Sequence, residues 1–279
     1  MSHKYLHRDD APFGDSVWSE IDSAVVGAAK AQMGARKILY IDGPYGLGLK
    51  SIPGTDQTIE GEQAESGLIA SVVRPLALLR QDFTLPLRDI ATFEQQGLAF
   101  SAAPATQAAM ALARKEDSLI FNGSKALGVG GLLNSDGVQK HALGTWDEIG
   151  DAAQDIIDAV TTLDQAGFHG PYSLALSPGL YNRLYRRYPQ GSMTELEHLQ
   201  TIVTEGVVKA PSIRLGGVLI QSGQQYARIT IGQDLQAGFI GPEAAHYEFF
   251  VSESVGLDLR VPEAVCTLEP GETPPPGTG

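Results

Sequence analysis

Residues Arg36–Gly48 read RKILYIDGPYGLG, and the rest of the chain is organised around them. Ile38, Leu39, Tyr40 and Ile41 make an apolar run of strand length. Asp42-Gly43-Pro44, then Gly46 and Gly48, break regular structure. The stretch predicts a short buried strand followed by a hinge between two structural units. Glycines 43, 46 and 48 lack the spacing of a dinucleotide-binding loop.

Working outward, the preceding segment predicts a helix capped by Asp15 or Ser16 and running to about Met33. Trp18, Ile21, Val25, Ala28, Ala29 and Gln32 recur at helical spacing. That stripe packs on the protein's own core or receives a partner segment. From Leu49 to about Phe83 the pattern becomes two long strands joined through a polar tip carrying Glu60, Gly61, Glu62 and Glu65. A two-stranded ribbon buries little of itself and is marginal alone, so it is expected to pair outside its own subunit.

At 279 residues the chain can build one large domain or two modest ones. With 43% hydrophobic and 19% charged residues it is globular in composition. A net charge of −13 disfavours nucleic acid and anionic membrane surfaces as partners. Cys266 is the only cysteine, so no intrachain disulfide forms. The polar N-terminus is no signal peptide, and no apolar run reaches the roughly 18 residues of a membrane span. The expectation is a cytoplasmic protein.

Further along, Pro104 and the alanine-rich residues 105–121 predict a long helix. Thr145-Trp146-Asp147-Glu148 has capping-box spacing ahead of a second helix, with Asp151, Asp155 and Asp158 on its solvent face. Tyr172–Ser177 reads as a core strand, Pro178–Tyr188 and Glu195–Thr204 as helices, and residues 213–268 mostly as strands. Residues 270–279, PGETPPPGTG, form a proline-rich tail.

Chemistry-bearing motifs are missing. There is no P-loop, no G-x-S-x-G and no H-E-x-x-H, and the six histidines are scattered. His198 beside Glu197 reads as a partly exposed helix histidine, and Cys266 as a small buried hydrophobe. No metal site or cofactor is expected. The chain does not read as an enzyme.

An ordered series of short motifs resembles the family 1 encapsulins, the linocin-type shell proteins related to HK97 phage capsids. The series begins with Ala11-Pro12 ahead of Trp18 and Glu20-Ile21-Asp22, then Arg36-Lys37 with Gly43-Pro44-Tyr45-Gly46, and Phe83-Thr84-Leu85. It continues with Glu116-Asp117, Ile120-Phe121 and Gly123, then Gly130-Gly131-Leu132, Gly170-Pro171-Tyr172, and Gly232-Gln233-Asp234 with Gly238. The resemblance implies an α+β, HK97-like major capsid protein fold. Residues 1–14 would be an N-terminal arm, and residues 15–48, 84–134 and 226–269 a peripheral domain. Residues 49–83 would be an extension loop, 135–225 an axial domain, and 270–279 a flexible tail.

It also implies the function: a shell protein that self-assembles into an icosahedral nanocompartment. The shell would enclose a cargo enzyme, a ferritin-like iron storage protein or a dye-decolourising peroxidase, docked by a C-terminal targeting peptide. Arg36 matches a family arginine near the cargo patch, and Tyr40 stands where some relatives carry an aspartate. Ile21, Val25 and Ala29 are the residues assigned to an apolar groove, with Gly232, Gln233 and Asp234 on the neighbouring strand region. Tyr188, Pro189, Gln190, Gly191 and Ser192 fall where the family places a pore. Some shells stack a flavin on a tryptophan after Phe-Thr-Leu; here Pro86, Leu87 and Arg88 follow, so no flavin is expected. The alternatives are a phage or prophage major capsid protein and, from another class, a hydrolase assembled from distant Ser, His and Asp residues.

Overall fold

A computed structural model describes residues 4–58, 69–189 and 191–271. In chain order the first elements are helix α1 (Asp15–Gln32), strands β1 (Tyr40–Asp42), β2 (Ser51–Thr58), β3 (Ile69–Pro75) and β4 (Ala77–Pro86), then helices α2 (Leu87–Gln96) and α3 (Ala103–Asn122). There follow β5 (Gln139–Leu143), α4 (Asp151–Gln165), β6 (Tyr172–Leu176), α5 (Pro178–Arg183), α6 (Glu195–Ile202), β7 (Val207–Lys209) and β8 (Gly217–Gln221). Strands β9 (Ala227–Ile231), β10 (Gln236–Glu243), β11 (His246–Leu259) and β12 (Val265–Pro270) close the chain.

The chain forms two compact units. The first holds Met1–Met33, Asp42–Glu116 and Thr230–Asp258; the second holds Gly34–Ile41, Asp117–Ile229 and Leu259–Gly279. In the first unit β11 runs antiparallel between β10 and β4, with Phe249 opposite both Phe239 and Phe83. Helix α1 buries Val17, Ile21, Val25 and Ala29, one residue per turn. These side chains share a core with Ala105, Ala108, Ala109 and Leu112 of α3 and with Leu85, Phe239 and Phe249 of the sheet. Phe13, Trp18, Phe83, Phe239, Tyr247 and Phe249 meet at ring-centroid distances of 5.2–5.9 Å, within the range of favourable edge and offset contacts.

Among the described residues, strands β2 and β3 pair only with each other, as a two-stranded sheet. Its base is fixed by Arg74 Nη1 donating to Asp258 Oδ1 at 2.9 Å and by Leu76 N–H donating to the Lys50 carbonyl at 2.9 Å. Ile69 and Val73 on β3 are exposed. The predicted polar tip lies outside the described residues.

In the second unit the sheet order is β5-β12-β8-β6-β7. Strand β12 is parallel to β5 and antiparallel to β8, β8 is antiparallel to β6, and β6 is parallel to β7. Every strand thus runs one way except β8. Strands β6 and β8 are buried along their full length, as expected for strands covered on both faces. Helix α4 adds Ala152, Ala153, Ile156, Ala159 and Leu163 to this core.

Strand β12 pairs with β5 and β8 in the second unit. Three expectations change. Helix α4 starts at Asp151, not after Thr145. Trp146 is turned inward with φ 54°, its Nε1 donating to Asp155 Oδ2 at 2.6 Å, so residues 145–148 form a pinned loop. Asp151 accepts from Glu148 N–H at 2.9 Å, so Asp151 and Asp155 are bound to that loop and are not merely solvated. Helix α5 ends at Arg183, well short of Tyr188.

Candidate functional site

Within Arg36–Gly48 the apolar run divides. Ile38 and Leu39 are buried, but the hydrogen-bonded strand starts only at Tyr40, whose ring is 53% exposed. Arg36 lies, partly buried, in a 3-10 turn over Ala35–Lys37. The turn is fixed by Asp117, which is itself buried and accepts from Gly34 N–H at 2.8 Å and Ala35 N–H at 3.0 Å. Asp117 of the Glu116-Asp117 pair singled out in the sequence therefore works as an anchor for the residues ahead of Arg36.

The Gly43–Gly48 turn does something else. The Gly43-Pro44 peptide is cis, and Gly43 has φ 125°. A Cβ on Gly43 would meet the Ile231 carbonyl, so only glycine fits. Tyr45 N–H donates to that carbonyl at 3.0 Å and Gly46 N–H to the Gly232 carbonyl at 2.6 Å. The loop after β9 is held in turn by β11. Gln233 N–H donates to Ser254 Oγ at 2.7 Å, and Gln233 Nε2 donates to Ser252 Oγ at 2.9 Å. Asp234 caps its own turn by accepting from Leu235 N–H at 2.9 Å.

Between these two loops, and closed on one side by Tyr5 and Leu6, lies a groove of about 370 Å³. Pro44, Tyr45 and Leu47 supply apolar surface; Gly232, Gln233 and Asp234 supply backbone, amide and carboxylate. Tyr45 is 61% exposed, its hydroxyl donating to Asp42 Oδ1 at 2.6 Å. An apolar wall facing a few polar groups suits an extended peptide, whose side chains and backbone need both.

The structure gathers Gly232, Gln233 and Asp234 at this groove and does not bring Ile21, Val25 or Ala29 to it. Those three are 0%, 1% and 3% exposed and pack into the core of their own unit, so no ligand touches them without opening it. The stripe on α1 is a core stripe. Arg36 and Tyr40 belong to the other unit. Sequence reading missed Pro44, Tyr45 and Leu47 as lining residues; the exposed aromatic beside a Gly-Pro turn was their signal.

Of the residues assigned to a pore, Gln190 lies outside the described residues. Pro189, Gly191 and Ser192 are exposed, and Tyr188 is partly buried, donating to or accepting from His198 Nδ1 at 2.8 Å. Burial and the nearby Glu195 carboxylate hold the Tyr188 phenol above its ordinary range. The loop's base is fixed by fully buried Glu195, which accepts from Gly150 N–H at 2.8 Å and Arg186 Nε at 3.0 Å. Arg186 then donates to the Trp146 carbonyl at 2.9 Å, Asp147 at 3.0 Å and Glu148 at 3.2 Å. The two carboxylate oxygens and the guanidinium are each satisfied, which is what permits the charge to be buried. Helix α6 starts with a capping box between Thr194 and Glu197.

Among the described residues no cluster of three or more His, Cys, Asp or Glu could hold a metal ion, and no helix is long and apolar enough to cross a membrane. Cys266 is buried, and burial pushes its thiol up to about 12.

Comparison with known proteins agrees with this architecture. Residues 3–256 match the family described as encapsulating protein for peroxidase. The type 1 encapsulin shell protein EncA of Myxococcus xanthus is 30% identical over 277 residues, covering 95% of this chain and 96% of the relative. The fold is that of a virus-like particle from Pyrococcus furiosus, at TM-score 0.73 and 22% identity over 91% of this chain and 99% of the other. The capsid of the myovirus XM1 shares it at TM-score 0.57 and 17% identity, over 83% and 89% of the two chains. With its HK97-like capsid fold and a family match over most of its length, this chain belongs to the type 1 encapsulin shell proteins.

Proposed function

We propose that the capsid-like compartment formed by this shell protein is a cytoplasmic, icosahedral one that encloses a cargo enzyme, and that the cargo docks through a C-terminal targeting peptide. The cargo class is a dye-decolourising peroxidase or a ferritin-like iron storage protein; the family description, which names a peroxidase, supports the former. Residues 15–48, 84–134 and 226–269 act as the peripheral domain, residues 135–225 as the axial domain, and residues 49–83 as the extension loop that clasps a neighbouring subunit. The observation that carries the clasp is a two-stranded sheet, paired among the described residues only with itself, that exposes Ile69 and Val73.

The groove at Tyr45, Gly232, Gln233 and Asp234 is the dock. It combines the apolar and polar surface that a peptide requires, whereas the α1 stripe is occupied by the core. Arg36 and Tyr40, in the second unit, are separate cargo-contact residues. The loop at Tyr188–Ser192 lines the pore. A viral capsid role shares the fold, but the family match favours the compartment.

The docking reading is tested with Tyr45→Asp. A charge on the apolar wall would be desolvated by an incoming peptide, so co-purified cargo falls at least about tenfold while particle diameter is unchanged. Full loading of Tyr45→Asp particles, measured by mass spectrometry of their contents, removes the groove from the account.

A further inference from the structure

The parallel strands of the second unit end together. The carboxyl ends of β5, β6 and β12 and the start of β8 open into one pocket of about 560 Å³. Loops diverge at the carboxyl ends of such strands, which is why mostly parallel sheets place their ligands there. The volume lies within the roughly 300–1,000 Å³ of sites that take small organic molecules.

The polar lining selects the sign of the ligand's charge. Arg214 lines the pocket and makes no hydrogen bond or ion pair with any described residue. Ser177 N–H donates to the Gly216 carbonyl at 2.9 Å, which sets the serine beside the Arg214-Leu215-Gly216 segment. Ser177 is 3% exposed and lines the pocket, and its hydroxyl neither caps α5 nor bonds another described group. A buried hydroxyl is costly until it finds a partner, and a ligand in the pocket supplies one. Arg183 holds the Thr145 carbonyl and lies 3.9 Å from Asp147, the only carboxylate among the described lining residues. That pairing leaves Arg214 uncompensated. Two guanidiniums against one carboxylate make the described lining positive by one charge, in a chain whose net charge is −13.

The rest of the lining selects the ligand's body. Leu143, Leu180 and Leu215 contribute apolar wall, and Leu215 is 67% exposed. An inorganic anion leaves these leucines wet, whereas a hydrocarbon body covers them. One free guanidinium matches one carboxylate through two parallel N–H···O bonds, and a single excess positive charge balances a monoanion better than a dianionic phosphate ester. We propose that this pocket binds an amphipathic organic monocarboxylate, its carboxylate held by Arg214 and the Ser177 hydroxyl and its hydrocarbon body laid on Leu180 and Leu215. The pocket lies wholly in the second unit and the groove at Tyr45 wholly in the first, so a variant in one leaves the other intact.

Isothermal titration calorimetry of the purified full-length protein tests this with three probes: octanoate, its neutral counterpart octanamide, and inorganic phosphate. Octanoate is expected to bind one site per chain with a Kd of about 1 mM or tighter. Octanamide lacks the charge and phosphate the hydrocarbon, so each binds at least about tenfold more weakly. Arg214→Gln weakens octanoate at least about tenfold and Ser177→Ala about threefold or more. Leu215→Ser, which keeps the charge and removes exposed apolar wall, weakens octanoate and leaves phosphate unchanged. No octanoate binding up to about 10 mM, or equal octanoate affinity in Arg214→Gln, overturns the proposal. So does phosphate binding as tightly as octanoate, which makes the pocket a simple anion site. Octanoate binding seen only after particles are dissociated also overturns it, and makes a second copy of the chain the occupant.

Discussion

Val25 and Ala29 show how burial, more than residue type, decides what a substitution does. An aspartate at either position would place a charge in the α1 core, where both side chains are at most 3% exposed. Val25→Asp combined with Ala29→Asp is expected to cost more than the fold can spare, since native domains keep only about 5–15 kcal/mol in reserve. Circular dichroism of the double variant should show no cooperative melt at physiological temperature, whereas Val26→Asp, on the exposed side of the same helix, melts within a few degrees of the parent. A folded double variant would mean that α1 does not pack as described. Arg186 gives a second case. Removing it strands the Glu195 carboxylate inside the protein, at a cost of roughly 3–5 kcal/mol. A denaturant midpoint for Arg186→Ala that moves by less than about 1 kcal/mol in stability would contradict the burial of that pair. Cys266 supplies a third. With its thiol buried and raised to about 12, it should resist maleimide in the folded particle and react only on unfolding.

At the scale of elements, local signals were readable wherever local chemistry decides. The period of α1 and the alanine-rich α3 lay in neighbouring residues. What was not readable came from distant partners. Thr145–Glu148 and Thr194–Glu197 share the same spacing, yet only the second is a capping box; the first is held as a loop by Trp146, Asp155 and Arg186. Strand β12 looked like a continuation of the preceding strands, but its partner β5 lies far back along the chain. The buried strand predicted over residues 38–41 begins two residues late, because Asp117 winds the residues before it into a 3-10 turn. The family resemblance singled out Gly232-Gln233-Asp234, a segment that lines the groove beside Tyr45. A helical stripe carries no mark that separates a groove from a core, and Ile21, Val25 and Ala29 lie in the core. The ribbon provides the prediction at this scale. Deleting residues 55–66 removes the end of β2 that pairs with β3 at Asp56, Gln57 and Thr58 while leaving the Arg74–Asp258 base. The variant should fold, with a melt close to that of the parent, and yield smaller assemblies or none by size-exclusion chromatography; unchanged particles would show that the ribbon is no clasp.

For the whole molecule, a two-stranded ribbon that pairs with no other described strand makes sense in a repeating assembly. Contacts between unlike surfaces either close by symmetry or run on into open fibres, and the HK97-like fold of this chain is one that closes. Negative-stain electron microscopy of the purified, full-length protein reads this most directly. Closed, uniform icosahedral particles with an internal lumen are the expected result. A monodisperse monomer at high concentration, with no particles on the grid, would contradict it.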